Sequence, residues 1–315
     1  MATNPQQRND DQTVPPVADD AELFEQPISV EKPVETRLPF VFSSPHSGRV
    51  YTEAFVTASN LDPMTLRRSE DSFIEEVFGG VVALGAPLLH ARFPRAYLDA
   101  NREPYELDPA MFADPLPPHV NTRSLRVAGG LGTIARIVAD STEIYRAPLS
   151  YAEAERRIRS LYMPFHEALR DLLEDARQRF GWALLVDCHS MPSIGAPHED
   201  DRGGNRPDIV LGDRYGTSCA SEITQEAERL LRRLGYRVAR NNPYAGGFNT
   251  EHYGRPQVGL HALQIEINRA LYMDEARLER GAGFARLKAD MTAFAAALAD
   301  LDWSALAGEM RRAAL

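Results

Sequence analysis

The chain has 315 residues, 43% hydrophobic and 25% charged, enough for one large α/β domain or two smaller ones around a buried core. A formal net charge of −10 argues against nucleic-acid and membrane partners, and an anionic small-molecule substrate would need a local arginine cluster. Cys188 and Cys219 form no Cys-x-x-Cys pair, so neither a thiolate zinc site nor a disulfide framework is indicated. With no leader-like segment and no apolar run long enough to span a bilayer, the expectation is a soluble, cytoplasmic protein.

Residues 1–25, rich in Asn, Gln, Asp, Pro and Thr, read as a disordered N-terminal arm ahead of a single domain over 26–315. A strand is expected over 38–44, where an apolar run delivers Ser43, Ser44 and then His46-Ser47-Gly48. Residues 64–79 read as a helix: Phe73 and Val77, and Ile74 and Phe78, repeat at i, i+4 before Gly79-Gly80. A second strand region follows over 81–91 and a shorter one over 96–100. The Pro- and Gly-rich stretch 103–132 lacks periodicity, and a loop that long in a compact domain is usually functional or mobile.

A long helix is expected over 151–179, with Leu161, Phe165, Leu169 and Leu172 on one stripe. Beyond Gly181, Leu184-Leu185-Val186-Asp187-Cys188-His189-Ser190 is an apolar run ending in polar groups, as a buried strand does where ligands collect. Strand 208–211, helix 217–234, strand 236–239 and a second Gly- and Pro-rich loop, 241–259, precede a strand over 260–268 that carries Glu266. Alanine-rich helices close the chain. This alternation predicts the α/β class: a single domain with a central mixed, mostly parallel sheet flanked by helices.

Imidazoles and carboxylates suit zinc, and a catalytic zinc keeps three protein ligands and one open position. His46 and His189 are the candidate imidazoles. A lone histidine is ordinarily structural, but two at strand ends, each followed by serine, point to metal. The third ligand should be an acid, for which 64–79 offers Glu70 and Asp71. Asp71 is preferred, although periodicity does not decide between them. Glu266, between Ile265 and Ile267, must be paired, metal-bound or catalytic, because uncompensated burial of charge is costly. A salt bridge to Arg269 or Arg255 and a general base are evenly balanced readings.

Arg92, Arg95, Asn101 and Arg102 cluster before the glycine-rich segment 128–132, and Arg136 follows it; a planar guanidinium suits a carboxylate ligand. His252, in the second glycine loop, would contact substrate or steady an oxyanion, or else face solvent. Gly129-Gly130-Leu131-Gly132 lacks the spacing of a phosphate loop, Cys188 reads as a packed thiol, and no Gly-x-Ser-x-Gly elbow accompanies the serines.

Six segments in order resemble the N-formylglutamate amidohydrolase family across about 38–275: Ser-Pro-His46-Ser-Gly, Ser69-Glu-Asp71, Phe-Pro-Arg95-Ala-Tyr-Leu-Asp99-Ala-Asn101-Arg102, Asp187-Cys-His189-Ser, Gly246-Gly-Phe-Asn-Thr-Glu-His252-Tyr-Gly and Gln264-Ile-Glu266-Ile-Asn-Arg. The resemblance implies hydrolysis of N-formyl-L-glutamate to formate and glutamate in histidine breakdown. It also implies a distant likeness to zinc carboxypeptidases and aspartoacylases, with their phosphorylase/hydrolase-like fold. Those enzymes follow the order of a zinc His and acid, an Asn-Arg pair, a His-Ser ligand and a late Glu, which His46, Asn101-Arg102, His189-Ser190 and Glu266 match. They carry the acid ligand three residues after the first histidine, where this chain has Arg49, so Asp71 would take its place.

The expected site is therefore Zn2+, or another divalent metal, on His46, Asp71 and His189, with metal-bound water attacking the formyl carbon and Glu266 as base. Asn101 and Arg102 would take the α-carboxylate, with Arg95, Arg136 and His252 as further substrate contacts. The alternatives are a zinc deacylase or carboxypeptidase-like hydrolase of another N-acyl amino acid, separable by the acid released, and a non-catalytic carboxylate-binding protein, separable by metal content. A serine hydrolase comes third, separable by insensitivity to chelators.

Overall fold

The computed structural model describes residues 17–18, 20–138, 142–195 and 206–303. Its core is a seven-stranded sheet of β1 (Ile28–Glu31), β2 (Phe40–Ser44), β3 (Leu88–Ala91), β4 (Ala183–Met191), β5 (Ile209–Gly212), β6 (Val238–Arg240) and β7 (Leu260–Asn268), in the order β6-β5-β7-β4-β2-β3-β1. The four central strands β7, β4, β2 and β3 run parallel. β5 is antiparallel to β7, and β1 to β3, which makes the sheet mixed and mostly parallel as the alternation predicts.

β4 and β7 are buried along their whole length, and successive side chains alternate between two cores. On one face Phe40, Phe42, Leu184, Val186, Ile265 and Ile267 pack beneath helices α1 (Ile74–Phe78), α3 (Ser221–Arg233) and α4 (Phe284–Ala299). On the other, Val41, Leu89, Ala183, Leu185 and Ala262 meet Leu161, Phe165 and Leu169 of the long helix that ends in α2 (Met163–Phe180). That helix begins at Tyr151 and passes through a π turn at Ile158–Tyr162, just before Pro164. A proline cannot donate to the carbonyl one turn back, and the wider turn absorbs the break. No helix among the described residues is long and apolar enough to cross a membrane.

Four expected elements differ. The 64–79 helix is two short helices, Pro63–Arg67 and α1, separated by a turn. Tertiary hydrogen bonds replace the helical ladder there: Asp71 N–H reaches His46 O at 3.0 Å, and Arg269 takes the carbonyls of Arg68 and Glu70 at 3.2 and 2.6 Å. Phe73 leaves the turn with φ 67°, a strained conformation for a bulky residue. Over 81–91 only Leu88–Ala91 is strand. Val81–Leu84 is helical and stops at Gly85, whose φ of 103° a side chain would oppose. Residues 96–100 form turns: Tyr97 and Leu98 N–H both bond Pro94 O, and Asp99 N–H bonds Thr133 O. Of the expected disordered arm, residues 1–16 and 19 lie outside the described residues. Asp20–Glu25 is instead a helix, because Leu23 finds a fully buried place in the second core.

Candidate active site

The apolar alternation of β4 and β7 fails on one face only. Ala183 and Leu185 give way to Asp187 and His189 there, while Leu184, Val186 and Cys188 stay apolar on the other. Ala262 likewise gives way to Gln264 and Glu266, opposite Leu263, Ile265 and Ile267. Register pairs Gln264 with Asp187 and Glu266 with His189, so four polar side chains form a block toward the C-terminal ends of parallel strands. This is where α/β sheets offer their ligand sites.

Connecting segments bring the remaining groups. Asp71 Oδ2 lies 3.0 Å from His189 Nδ1 and 3.3 Å from His46 Nδ1, and the two rings are 4.8 Å apart. The far nitrogen of each ring meets a second carboxylate: His46 Nε2 is 2.7 Å from Asp99 Oδ1, and His189 Nε2 is 2.9 Å from Asp187 Oδ2. With Nε2–H donating outward, both Nδ1 atoms are left to converge on Asp71, an arrangement typical of metal-ligating histidines. His46, Asp71 and His189 offer ligand atoms within 4.8 Å of one another, all buried. His46 Nδ1 is buried without a hydrogen-bond partner, which costs free energy unless something is coordinated there. Two imidazoles and one carboxylate are a donor set suited to zinc.

Of the two neighbouring acids, Asp71 faces the histidines and Glu70 does not. Glu70 is turned away, its carboxylate held by Tyr51 at 2.7 Å, Ser72 at 2.9 Å and Arg67 at 3.1 Å. Asp71 Oδ1 is steadied by Ser190 at 2.9 Å and Arg269 at 3.3 Å. Burial disfavours charge on Asp71, but the adjoining His189 and His46 outweigh it and hold the carboxyl well below the usual carboxylate range. Asp99 is also held well below that range, its burial outweighed by Arg102, His46 and Arg95.

Glu266 has a different environment. Arg269 is committed to Ser190, Asp71 and two carbonyls, and of the two balanced readings of Glu266 the salt bridge to Arg269 or Arg255 does not form among the described residues. Among the described residues, Glu266 has no ion-pair partner and accepts one hydrogen bond, from Gln264 Nε2 at 2.8 Å. Burial pushes its carboxyl up to about 7, with His189 pulling the other way. A base poised near neutrality suits proton transfer at ordinary pH.

A cavity of about 670 Å³ opens over this centre, lined by His46, Asp71, His189 and Glu266 and by Arg68, Arg95, Arg102, Arg126 and Arg269. A locally cationic wall is what an acidic protein needs to receive an anion. Arg95 uses Nε on Asp99 at 3.0 Å, and Arg102 uses Nε on Leu131 O at 3.0 Å and Nη1 on Asn101 O at 2.9 Å. Asn101 lines the cavity: its Oδ1 accepts Asn249 N–H at 2.8 Å, and its Nδ2 stands 3.2 Å from His189 Nε2, whose proton goes to Asp187. Gly247 backs onto the amide so closely that a Cβ there would meet Asn101 Nδ2 at 2.4 Å.

Arg136 and His252 do not line the cavity. Arg136 is drawn off by Asp108 at 2.8 Å and Glu143 at 3.1 Å. His252 is exposed on the helix Phe248–Tyr253, stacked on Phe248, while Asn249, Thr250 and Tyr253 take the buried face. Sequence reasoning assigns no role within the site to Asp99, Asp187, Gln264 or Arg126, and offers Arg269 only as a partner for Glu266. Asp187 and Gln264 carry a signal even so, since each sits two positions before a candidate group on a strand and shares its face.

In class the protein is an amidohydrolase with an α/β fold. The sequence profile described as N-formylglutamate amidohydrolase matches residues 38–273. The chain belongs to that family. N-formylglutamate deformylase of Pseudomonas aeruginosa is 31% identical over 243 residues, covering 76% of this chain and 84% of the relative. The protein of that name from Pseudomonas putida is 28% identical over 242 residues, covering 76% and 83%. The crystal structure of N-formylglutamate amidohydrolase from Ralstonia eutropha superposes with a TM-score of 0.80 at 38% identity, over 91% of this chain and 99% of that one. A gene product of Agrobacterium tumefaciens shares the fold, with a TM-score of 0.55 at 20% identity over 88% and 98%.

Proposed function

We propose that the chain hydrolyses N-formyl-L-glutamate, or a closely related N-formyl or N-acyl amino acid, to formate and the free amino acid, as a cytoplasmic step of histidine degradation. The relatives that carry the name N-formylglutamate deformylase support the substrate. The observation that carries the chemistry is Glu266, a buried carboxylate without an ion pair among the described residues, in register with His189 and facing the same cavity. His46, Asp71 and His189 would hold a divalent cation, with zinc fitting the donor set. When bound there, such an ion supplies Lewis acidity and makes water a nucleophile near neutral pH.

The chain's own residues supply the rest. Glu266 takes a proton from the attacking water as the C–O bond forms at the formyl carbon. It returns that proton to the amide nitrogen as the C–N bond breaks. Water is consumed, formate and the amine leave, and Glu266 ends as it began. Asp99 and Asp187 fix the ring orientations of His46 and His189, and Arg95 and Arg102 meet the α-carboxylate with the donors that Asp99, Asn101 and Leu131 leave free.

The test is formate release from N-formylglutamate before and after chelation, with zinc added back. Activity should vanish on stripping and return on reconstitution. Full activity in protein shown metal-free by elemental analysis would overturn the metal assignment. No formate from any N-formyl amino acid would overturn the activity.

A further inference from the structure

We infer that Arg126 reads the distal carboxylate of the substrate and so makes an N-formyl amino acid with an acidic side chain the preferred ligand; this rests on the function proposed above. The cavity arginines differ in how far they are committed. Arg269 spends its guanidinium on Ser190, Asp71 and the carbonyls of Arg68 and Glu70. Arg95 is tied to Asp99, and Arg102 to Leu131 and Asn101. Arg126 lines the same cavity, yet its guanidinium makes no hydrogen bond among the described residues. Its nearest acid, Glu106 Oε2, stands 3.7 Å from Nη1, beyond hydrogen-bond reach, and that oxygen is buried without a hydrogen-bond partner. Arg126 is thus ion-paired with Glu106 while its hydrogen-bond donors stay open to a ligand.

Arg126 is also placed where a second carboxylate would arrive. Leu131 ties the backbone of Arg126 to the side chain of Arg102: its N–H bonds Arg126 O at 2.8 Å, and its carbonyl accepts Arg102 Nε at 3.0 Å. Burial lowers the pKa of Arg102, and the Arg126 charge is near enough to help lower it. Arg102 in turn stands 3.7 Å from Asp99, which grips His46 at 2.7 Å. The path outward from the centre therefore runs through His46, Asp99, Arg102, Leu131 and Arg126. A ligand with its formyl group at the centre and its α-carboxylate at Arg102 extends its side chain along that path. The backbone of Arg126 is fixed as well, on the turn Leu125–Ala128 whose N-cap Ser124 accepts Val127 N–H at 3.0 Å. A planar guanidinium with open donors pairs bidentately with a carboxylate and gains far less from a neutral amide.

The experiment compares kcat/KM for N-formylglutamate and N-formylglutamine in the wild type, R126Q, R126K and R68Q, with melting curves as a check on folding. In R126Q the preference for glutamate over glutamine should fall about tenfold to a hundredfold, chiefly through KM for the acidic substrate. R126K should recover part of that preference, as a point charge without the fork. An unchanged ratio in R126Q, or a collapse confined to R68Q, overturns the assignment of Arg126 and leaves the proposed function standing. A wild-type protein that releases formate from neither substrate sinks both.

Discussion

Asp187 and His189 on β4, and Gln264 and Glu266 on β7, take their places from backbone alternation and strand register, whereas His46, Asp71 and Asp99 are held by groups distant in sequence. The strand-borne half needs little beyond the ladder. A period of two fixes the face, parallel pairing fixes the neighbour, and the apolar opposite face fixes the register. The loop-borne half depends on single tertiary contacts: Asp71 sits where it does because Arg269, Ser190 and His46 O hold its turn.

The sharpest test of this division is the strand residue with the fewest local bonds. Glu266→Gln removes one charge from a position the ladder fixes, and Gln264 remains to bond it. Turnover should fall about 10²- to 10⁴-fold while metal content and melting temperature stay close to wild type. Formate release within tenfold of wild type would remove Glu266 from the chemistry, and loss of the fold would mean the strand half is not self-sufficient.

The same division decides which parts of the site are legible in the amino-acid sequence. Asp187, His189 and Glu266 interrupt apolar runs, and such an interruption is visible without knowing what packs against it. The acid ligand is harder to place, because residues 64–79 satisfy helical periodicity through Phe73, Ile74, Val77 and Phe78. Only the long-range bonds of Arg269 and His46 O, about 200 and 25 positions away along the chain, break that helix and turn Asp71 inward. Asp99 lies inside a segment that reads as strand but folds as turns for the same reason. Arg136 and His252 show the converse: each has a chemically apt side chain in an apt loop, and each is drawn off by neighbours that no local pattern announces.

The two halves meet at the histidine rings, where the carboxylate behind each imidazole comes from a different source. Asp187 is on the strand with His189, and Asp99 is on a turn facing His46. Replacing either by Asn keeps the shape but weakens the acceptor for Nε2–H, and metal affinity should fall about tenfold to a hundredfold. Titration calorimetry with zinc reads this directly. If the strand is the stiffer support, Asp187→Asn should leave the melting temperature of the metal-free protein unchanged, while Asp99→Asn should lower it, since Asp99 also anchors Arg95, Asn101 N–H and Arg102. Equal behaviour of the two variants in both measurements would erase the distinction.

The smallest effect concerns the buttress of the turn segment. His166, on α2, donates Nε2–H to Ala100 O at 2.9 Å and accepts Tyr253 OH on Nδ1 at 2.9 Å, so the neutral ring is fully satisfied. Burial lowers its pKa from 6.5 to about 4. A histidine whose folded pKa is depressed binds its proton more readily in the unfolded chain. Its contribution is therefore present above pH 6.5 and is lost as pH falls toward 4. At pH 5 the loss is on the order of 2 kcal/mol. Urea unfolding at pH 7 and pH 5 should show a steeper acid loss in the wild type than in His166→Gln, whose amide can still donate to Ala100 O and accept from Tyr253 without titrating. Equal acid slopes would mean that the ring is not what makes the turn-borne half of the site sensitive to acid.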